Sequence, residues 1–177
     1  MSAMRRTLLL CTAWLIAGSG VPAQAQESIS ALKGHDANAP VDVVADRIEV
    51  QDRSDRALFA GNVHVTQGEL TLDTARLTVA YASTGGIQIQ RLDASGGVVV
   101  KSPSETARGD FGVYDLDRKL ITLVGNVRLN RDASQILGSR LVIDLNSGRA
   151  VIDGGPAGVA QSGGRVTGHF TVPQQSH

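Results

Sequence analysis

The chain has 177 residues, and its 17 basic and 17 acidic side chains give a formal charge of zero at neutral pH. This balance excludes the strongly basic surface that non-specific nucleic-acid binding requires. Only 3% of the residues are aromatic while 20 are glycine, which favours a long, thin stack of strands over a core built on aromatic rings.

The N-terminal segment Met1–Ala25 has the pattern of a cleavable export signal. Met1–Arg6 is basic and Leu8–Ala17 is apolar, but the apolar run is shorter than the about 20 residues that span a bilayer. Ala23-Gln24-Ala25 has the small residues that signal peptidase accepts, so we expect cleavage between Ala25 and Gln26 and export from the cytoplasm. Cleavage would also remove Cys11, the single cysteine. An uncleaved membrane anchor is the alternative.

The remainder of the chain predicts β-strands, because its dominant apolar spacing is two residues. Turn signals recur at short and regular intervals, which is typical of an all-β sandwich, roll or solenoid. We predict a β-domain at 41–155, a flexible segment before it at 26–40 and a Gly/Gln-rich tail after it at 156–177, with a weak strand pattern at Arg165–Val172. The predicted strands are Val43–Val50, Arg56–Ala60, Val63–Thr66, Glu69–Leu72, Arg76–Tyr81, Ile87–Leu92, Val98–Lys101, Asp110–Asp115, Lys119–Leu123, Val127–Asn130, Gln135–Leu137, Arg140–Leu145 and Ala150–Ile152.

One segment of the chain occurs twice. Phe59–Val65 reads FAGNVHV, and Leu123–Leu129 reads LVGNVRL. The match continues in register, with Arg76–Val79 falling on Arg140–Ile143. Such self-similarity is typical of a fold that stacks one supersecondary unit, in which no single unit buries its apolar face alone.

Glycines 61, 96, 125 and 154 extend this repeat with a weaker period of roughly 29 to 35 residues. Either these glycines mark true repeats, or they belong to Gly-Asn and Gly-Gly dipeptides that are common turns in any all-β chain. In both interpretations they shape the backbone. We predict that the Gly-Asn-Val segments are turns between successive strands and not an active site.

The sequence contains no motif for a catalytic, cofactor or metal site. It lacks the G-x-S-x-G, G-x-G-x-x-G and P-loop patterns. Its four histidines, His35, His64, His169 and His177, are far apart and have no metal-ligand spacing. We therefore predict no enzyme activity, no cofactor and no metal, and we expect His64 to face solvent on a strand.

Two carboxylate pairs have two possible interpretations. Asp52/Asp55 and Asp115/Asp117 could act as the acid and base of a glycosidase. They also lie where turns are predicted, beside arginines, and charged turn residues are expected in any soluble β-protein. The sequence favours the turn interpretation.

Strand parity predicts an apolar interior. It is either the core of the domain, or a groove between splayed sheets that accepts acyl chains at about 0.8 kcal/mol per buried methylene. The predicted inward, lipid-binding residues are Val63, Val65, Leu77, Val79, Ile87, Ile89, Val98, Val100, Phe111, Val113, Val127, Leu129, Leu141 and Ile143.

Several segments together resemble a known family. They are Val43–Val50, the two Gly-Asn-Val segments, Gln67–Leu70 and Ala75–Leu77. These residues, within a similarity that spans about 40–152, resemble the OstA-like family of lipopolysaccharide-transport proteins, and the resemblance is closest to the family's soluble periplasmic bridge component. It implies a β-jellyroll of stacked short antiparallel strands, open at both ends.

The resemblance also implies a function. Members of the family hold the lipid A acyl chains of lipopolysaccharide in an apolar groove and pass the molecule from the inner to the outer membrane of Gram-negative bacteria, for outer-membrane assembly. The implied partners are lipopolysaccharide, an inner-membrane transport complex and an outer-membrane translocon, joined by edge-strand pairing and head-to-tail self-association. The membrane-anchored component of the same pathway and a ligand-free, polymerising β-solenoid are alternatives. An enzyme acting on polysaccharide is a third.

Overall fold

The computed structural model of the chain describes residues 35–83, 85–155 and 164–170. Within these residues, ten antiparallel strands form one unclosed sheet. A 3-10 turn at Asp52–Ser54 is the only helical element that they contain. The strands are β1 (Val41–Val44), β2 (Arg47–Gln51), β3 (Arg56–Gln67), β4 (Leu70–Ala82), β5 (Gln88–Lys101), β6 (Glu105–Asp115), β7 (Leu120–Arg131), β8 (Ser134–Asp144), β9 (Arg149–Asp153) and β10 (Thr167–His169).

The sheet has a composite strand at each edge. Strands β3 to β8 are antiparallel neighbours in chain order. At one edge, β2 pairs with the first half of β3 and β1 with its second half. At the other edge, β10 pairs with the first half of β8 and β9 with its second half. Each edge thus consists of two short strands that together follow one long strand.

Every long strand bends near its middle, because a β-bulge interrupts the ladder there. Strands β3, β5 and β7 each insert two residues with positive φ, namely Gly61-Asn62, Gly96-Gly97 and Gly125-Asn126. Strands β4, β6 and β8 place one residue opposite them, namely Ala75, Asp110 and Ser139. The bends lie side by side and form a ridge along the molecule.

The bends divide the sheet into two layers that face each other. The upper layer contains residues 47–60, 76–83, 85–95, 111–124 and 140–153, and the lower layer contains 41–44, 63–74, 98–109, 127–138 and 167–169. Buried side chains of both layers form a single apolar cluster. The hairpin turns of both layers lie at the strand ends away from the ridge, and we call this side of the molecule the mouth.

The fold class predicted from the sequence is confirmed, since the sheet is an open antiparallel jellyroll. The prediction that the Gly-Asn-Val segments are turns between strands is wrong. Both segments lie inside continuous strands, β3 and β7, where they bend the strand without reversing the chain. Conversely, the single predicted strand Val43–Val50 is divided into β1 and β2 at Ala45-Asp46.

The two predicted terminal segments are described only in part. Residues 1–34, which include the predicted export signal, lie outside the described residues, as do 156–163 and 171–177 of the predicted tail. Residues 35–40 of the segment predicted to be flexible form a turn beside β1. Strand β10 lies within the predicted tail, at the weak strand pattern.

Candidate functional site

The candidate site is the apolar interior between the two layers. Of the fourteen side chains that strand parity predicts to point inward, ten are buried, with 4% or less of their surface exposed. They come from β3, β4, β5, β7 and β8, so the interior is continuous along the sheet. The ten are Val63, Val65, Leu77, Val79, Val98, Val100, Val127, Leu129, Leu141 and Ile143. Their contact with lipid stays a prediction.

The predicted inward position is wrong for three residues, Phe111, Val113 and Ile87. Phe111 is 58% exposed, because the bulge at Asp110 switches the inward face of β6 from odd to even positions, and Gly112 and Tyr114 point inward instead. Val113 therefore shares the outward face and is half-buried. Ile87 is 77% exposed, because it precedes β5 and has no strand neighbour. Ile89 is half-buried and packs against the core.

Strand parity also missed a set of inward side chains. Some of them could have been predicted from the sequence. Ile121 and Leu123 are odd-numbered like the inward Val127, and all three lie on one strand because β7 runs through Gly125-Asn126 without a turn. Others could not have been predicted, because the bulge at Ala75 reverses the parity of β4 between its two halves. The missed buried residues are Ala57, Leu70, Leu72, Leu92, Ala94, Ala107, Tyr114, Ile121 and Leu123.

A small cavity lies between the layers near the mouth. Its volume is about 10 Å³, about what one water molecule needs. At this place the two layers leave room for no larger molecule. The cavity is lined by Val41, Val65, Gln67, Leu70, Leu72, Leu92, Val100, Tyr114 and Ile121.

Two polar side chains in this lining connect the layers. Gln67, at the end of β3 in the lower layer, is 3% exposed, and Tyr114, near the end of β6 in the upper layer, is 4% exposed. The Tyr114 hydroxyl donates a hydrogen bond of 2.8 Å to Oε1 of Gln67. Burial raises the pKa of Tyr114 to about 12, although the hydrogen bond with Gln67 acts in the opposite direction. The hydroxyl therefore stays protonated and available as a donor.

Gln67 also binds the segment that precedes β1, residues 35–40, which we call the mouth strap. The amide nitrogen of Gln67 donates to the backbone oxygens of Ala37 and Ala39, at 3.2 and 3.0 Å. Nε2 of His35 lies 3.2 Å from Oε1 of Gln67, and burial lowers the pKa of His35 despite this hydrogen bond and the nearby Asp36 carboxylate. The mouth strap thus lies directly over the cavity lining.

The mouth strap also reaches the upper layer. Nζ of Lys119, in the turn between β6 and β7, donates to Oδ1 of Asn38 at 3.1 Å. Asp36 organises the strap itself, because its carboxylate accepts from the backbone of Asn38 at 2.9 Å and its backbone oxygen accepts from Ala39 at 3.1 Å. The strap therefore crosses the mouth from one layer to the other.

The exposed polar groups form local ion pairs. His64 faces solvent, as predicted, and its Nδ1 lies 2.6 Å from Oδ1 of Asp73, while Nζ of Lys101 lies 3.0 Å from Oδ2. These bonds, that of His64 first, lower the pKa of Asp73 although desolvation opposes the shift. Across the described ranges, no three His, Cys, Asp or Glu side chains cluster as metal ligands.

The predicted carboxylate pairs lie at strand ends and turns. Asp52 begins the 3-10 turn and Asp55 follows it with a positive φ of 49°. Asp115 ends β6, where its carboxylate accepts from the backbone nitrogen of Arg118 at 2.9 Å, and Asp117 lies in the turn that follows. These positions support the turn interpretation, with each pair at the surface and outside the apolar interior.

Both edges of the sheet leave a strand without an outer neighbour among the described residues. At the first edge, all five residues of β2 are exposed, including Ile48 at 56% and Val50 at 57%. At the second edge, β9 exposes Val151 at 37%. Unpaired strand edges are templates for pairing with another strand.

These features define a class of protein, an open antiparallel jellyroll whose two layers enclose a continuous apolar interior. Residues 42–149 match the family described as LptA/(LptD N-terminal domain) LPS transport protein. The chain belongs to this family of lipopolysaccharide-transport proteins. Among the described residues, no helix is long and apolar enough to cross a membrane.

Two relatives illustrate the similarity. An uncharacterized protein of Rhizobium meliloti (strain 1021) is 31% identical over 121 residues, which are 64% of this chain and 65% of the relative's length. The crystal structure of LptH from Pseudomonas aeruginosa, the LptA-homologous periplasmic component of the conserved lipopolysaccharide transport device, covers 78% of this chain and 99% of its own. Its TM-score is 0.67 at 18% identity, a likeness that shows a shared fold.

Proposed function

We propose that the protein is a periplasmic carrier of lipopolysaccharide that holds the lipid A acyl chains between its two layers and passes the molecule from the inner to the outer membrane. The observation that supports this role best is the continuous apolar interior from β3 to β8 in a sheet that does not close. Membership of a lipopolysaccharide-transport family agrees with it. Such transfer needs no covalent chemistry, so the proposed function is that of a carrier and not of an enzyme.

The bent sheet offers a simple way for the interior to open. The ladder hydrogen bonds run between neighbouring strands, so separation of the two layers at the mouth would break none of them and would leave the ridge of bends intact. Opening exposes apolar surface at about 25 cal/mol per Å². An acyl chain that fills the gap covers that surface again and gains about 0.8 kcal/mol for each methylene it buries.

The two unpaired edges suggest how the carrier joins its partners. An edge strand of one molecule can pair with the opposite edge of the next, a heterologous contact that continues instead of closing. We propose that β1 and β2 form one docking edge and β9 and β10 the other, for head-to-tail self-association and for pairing with an inner-membrane transport complex and an outer-membrane translocon. The interiors of the paired molecules would then be continuous.

The proposed location is the periplasm, reached by cleavage between Ala25 and Gln26. The export-signal pattern of Met1–Ala25 supports this proposal. N-terminal sequencing of the protein purified from cells tests it, with Gln26 expected as the first residue. Retention of Met1 would favour the membrane-anchored component of the pathway.

Photo-crosslinking tests the carrier function. A photoreactive amino acid at Val65 or Leu129, both buried, is expected to give an adduct in growing Gram-negative cells that reacts with antibody against lipopolysaccharide. The matched control is Arg128, which neighbours Leu129 but is exposed on the outer face. Filaments without any adduct at the inward positions would support the polymerising solenoid, and equal adducts at Arg128 and Leu129 would contradict an interior site.

A further inference from the structure

The polar side chain of Gln67 is unusual in the interior. Its neighbours in the cavity lining are apolar except for Tyr114, and burying an amide is unfavourable unless its hydrogen bonds are made. Here its oxygen accepts from Tyr114 and lies within hydrogen-bond distance of His35, and its nitrogen donates to Ala37 and Ala39. The amide is therefore satisfied when the layers are closed and the mouth strap is in place.

The position of the mouth strap conflicts with the entry of a ligand. It contacts Gln67 of the lower layer and Lys119 of the upper layer, so it connects the two layers beside the cavity that Gln67 lines. The cavity beneath it has room for about one water molecule. A chain that enters at this end must displace the strap and break the bond between Gln67 and Tyr114.

We propose that the mouth strap is an internal competitor of the ligand, and that an acyl chain entering at this end displaces it and takes over its hydrogen bonds to Gln67. The identity of the ligand as an acyl amphiphile rests on the proposed function. The strap presents two backbone carbonyl oxygens to the Gln67 amide. The carbonyl of an ester or amide linkage at the head of an acyl chain is an acceptor of the same kind, so exchange keeps the amide nitrogen of Gln67 hydrogen-bonded.

A disulfide can hold the strap closed. A Cβ at Gly68 would lie 3.8 Å from Cβ of Ala39, the mean separation in disulfides. The test protein carries Ala39→Cys and Gly68→Cys, together with Cys11→Ser so that the engineered pair provides the only thiols even where the N-terminal segment is retained. The probe is a dansyl-labelled fatty acid amide, followed by fluorescence. We expect the oxidised protein to bind it at least about tenfold more slowly than the same protein after reduction.

The comparison of oxidised and reduced protein controls for the substitutions themselves. Gly68 has a φ of +55°, so a cysteine there carries some backbone strain, but both redox states carry it equally. Circular dichroism checks that both states are folded. Equal binding rates and affinities in the two states would overturn the inference while leaving the carrier function standing.

A second variant, which needs no added cysteine, tests the hydrogen bond between Tyr114 and Gln67 beneath the strap. Tyr114→Phe removes one hydroxyl at nearly constant volume, and we expect it to speed binding of the probe about fivefold, since one net hydrogen bond is lost from the closed state. Tyr81→Phe is the matched control, because Tyr81 packs against the same core and its hydroxyl makes no hydrogen bond to a described residue. No acceleration, or the same acceleration in both variants, would argue against the role of this bond.

Failure of the inference and failure of the proposed function give different results. If the wild type, the reduced variant and Tyr114→Phe all fail to bind the probe and purified lipopolysaccharide, the carrier function is contradicted, and the inference with it. If all of them bind with the kinetics of the oxidised protein, only the strap proposal is contradicted.

Discussion

The side-chain amide of Asn126 donates a hydrogen bond of 2.7 Å to Oδ2 of Asp110, across the bend where β7 meets β6. The same bond occurs in the first copy of the repeated segment, where Asn62 donates to Oδ2 of Asp46 at 2.9 Å. Both asparagines have a positive φ, a conformation that asparagine tolerates better than most residues. The repeated sequence therefore encodes a bend that is held by an Asn–Asp hydrogen bond, and this bond occurs in β3 and β7, whereas the bend of β5 has Gly96-Gly97 instead.

The glycine that precedes each of these two asparagines is predicted to be important for stability. Gly125 has a φ of +82°, and a Cβ there would overlap the Asp110 carboxylate. We expect Gly125→Ala to lower the free energy of unfolding by about 2–4 kcal/mol, since backbone strain and a steric clash add. The matched control is Gly85→Ala, because Gly85 has a φ of +81° but open space around its Cβ. Urea unfolding that gives equal losses for both would contradict the role of the close contact.

The inward face defined by the bulges can be tested by truncation. Leu141 is fully buried between the layers, so Leu141→Ala is expected to cost about 2–5 kcal/mol in unfolding free energy. Phe111, which strand parity assigned to the same interior, is 58% exposed. We expect Phe111→Ala to change stability by no more than about 0.5 kcal/mol. A loss of several kcal/mol for Phe111→Ala would mean that Phe111 is packed after all.

Local sequence features predicted an all-β fold with stacked units, whereas the jellyroll was implied by the family resemblance. Alternation in segments such as Leu77–Tyr81 specifies strands, and the doubled Gly-Asn-Val segment specifies stacking. The bends were not recognised as bends, because Gly-Asn is a sequence typical both of a hairpin turn and of a bulge with positive φ. The strand that pairs with the flanking residues distinguishes a bulge from a hairpin turn. Here Ala60 and Val63, on either side of Gly61-Asn62, both pair with β4, so the segment is a bulge.

The inward side chains could be predicted from the sequence on strands whose inward positions stay odd or stay even. They could not be predicted on strands where a bulge exchanges the two. In β7 the inward positions are odd-numbered throughout, from Ile121 to Leu129. In β6 they change from odd-numbered, as at Ala107, to even-numbered, as at Tyr114, because of the bulge at Asp110. The mouth strap could not be predicted, because it depends on tertiary contacts. Gln67 meets Tyr114 47 residues away and Ala39 28 residues away, and no local pattern encodes such pairs.

The edge of the upper layer is predicted to control self-association. Ile48 lies on β2, which lacks an outer neighbour among the described residues, and is 56% exposed. A lysine there should hinder strand addition, so we expect Ile48→Lys to reduce oligomers at high protein concentration, as measured by light scattering, with little change in Tm. Val124→Lys is the control, since Val124 is also exposed but lies on the interior strand β7. Equal loss of oligomers in both variants would contradict edge pairing.

The ion pairs of Asp73 predict a loss of stability in acid. The hydrogen bond with His64, together with that of Lys101, lowers the pKa of Asp73 in the folded state below its ordinary value of 3.8. Its stabilising contribution is therefore present above pH 3.8 and is lost as the pH falls through the folded value. Between pH 6 and pH 3, Asp73→Asn should lose less unfolding free energy than the wild type.

A carboxylate without such partners provides the control for Asp73. Asp117 lies in the turn after β6 and makes no hydrogen bond to a described residue. Asp117→Asn removes the same negative charge at an exposed turn position and is the control for the loss of charge alone. Because the pair of His64 and Asp73 is largely exposed, about 1 M salt should reduce the difference between Asp73→Asn and the wild type. A difference that grows in salt would show that the effect is not electrostatic.

The burial of the Tyr114 hydroxyl predicts a loss of stability in alkali. Burial raises the pKa of Tyr114 from 10.0 to about 12, so between these values the unfolded chain releases a proton that the folded chain keeps. Stability is fully present below pH 10 and falls as the pH rises towards 12. Tyr114→Phe has no such proton, and we expect it to lose less unfolding free energy than the wild type between pH 9 and pH 11. Equal losses would mean that the Tyr114 hydroxyl ionises in the folded protein as readily as in the unfolded chain, which is incompatible with a hydrogen bond buried between the layers.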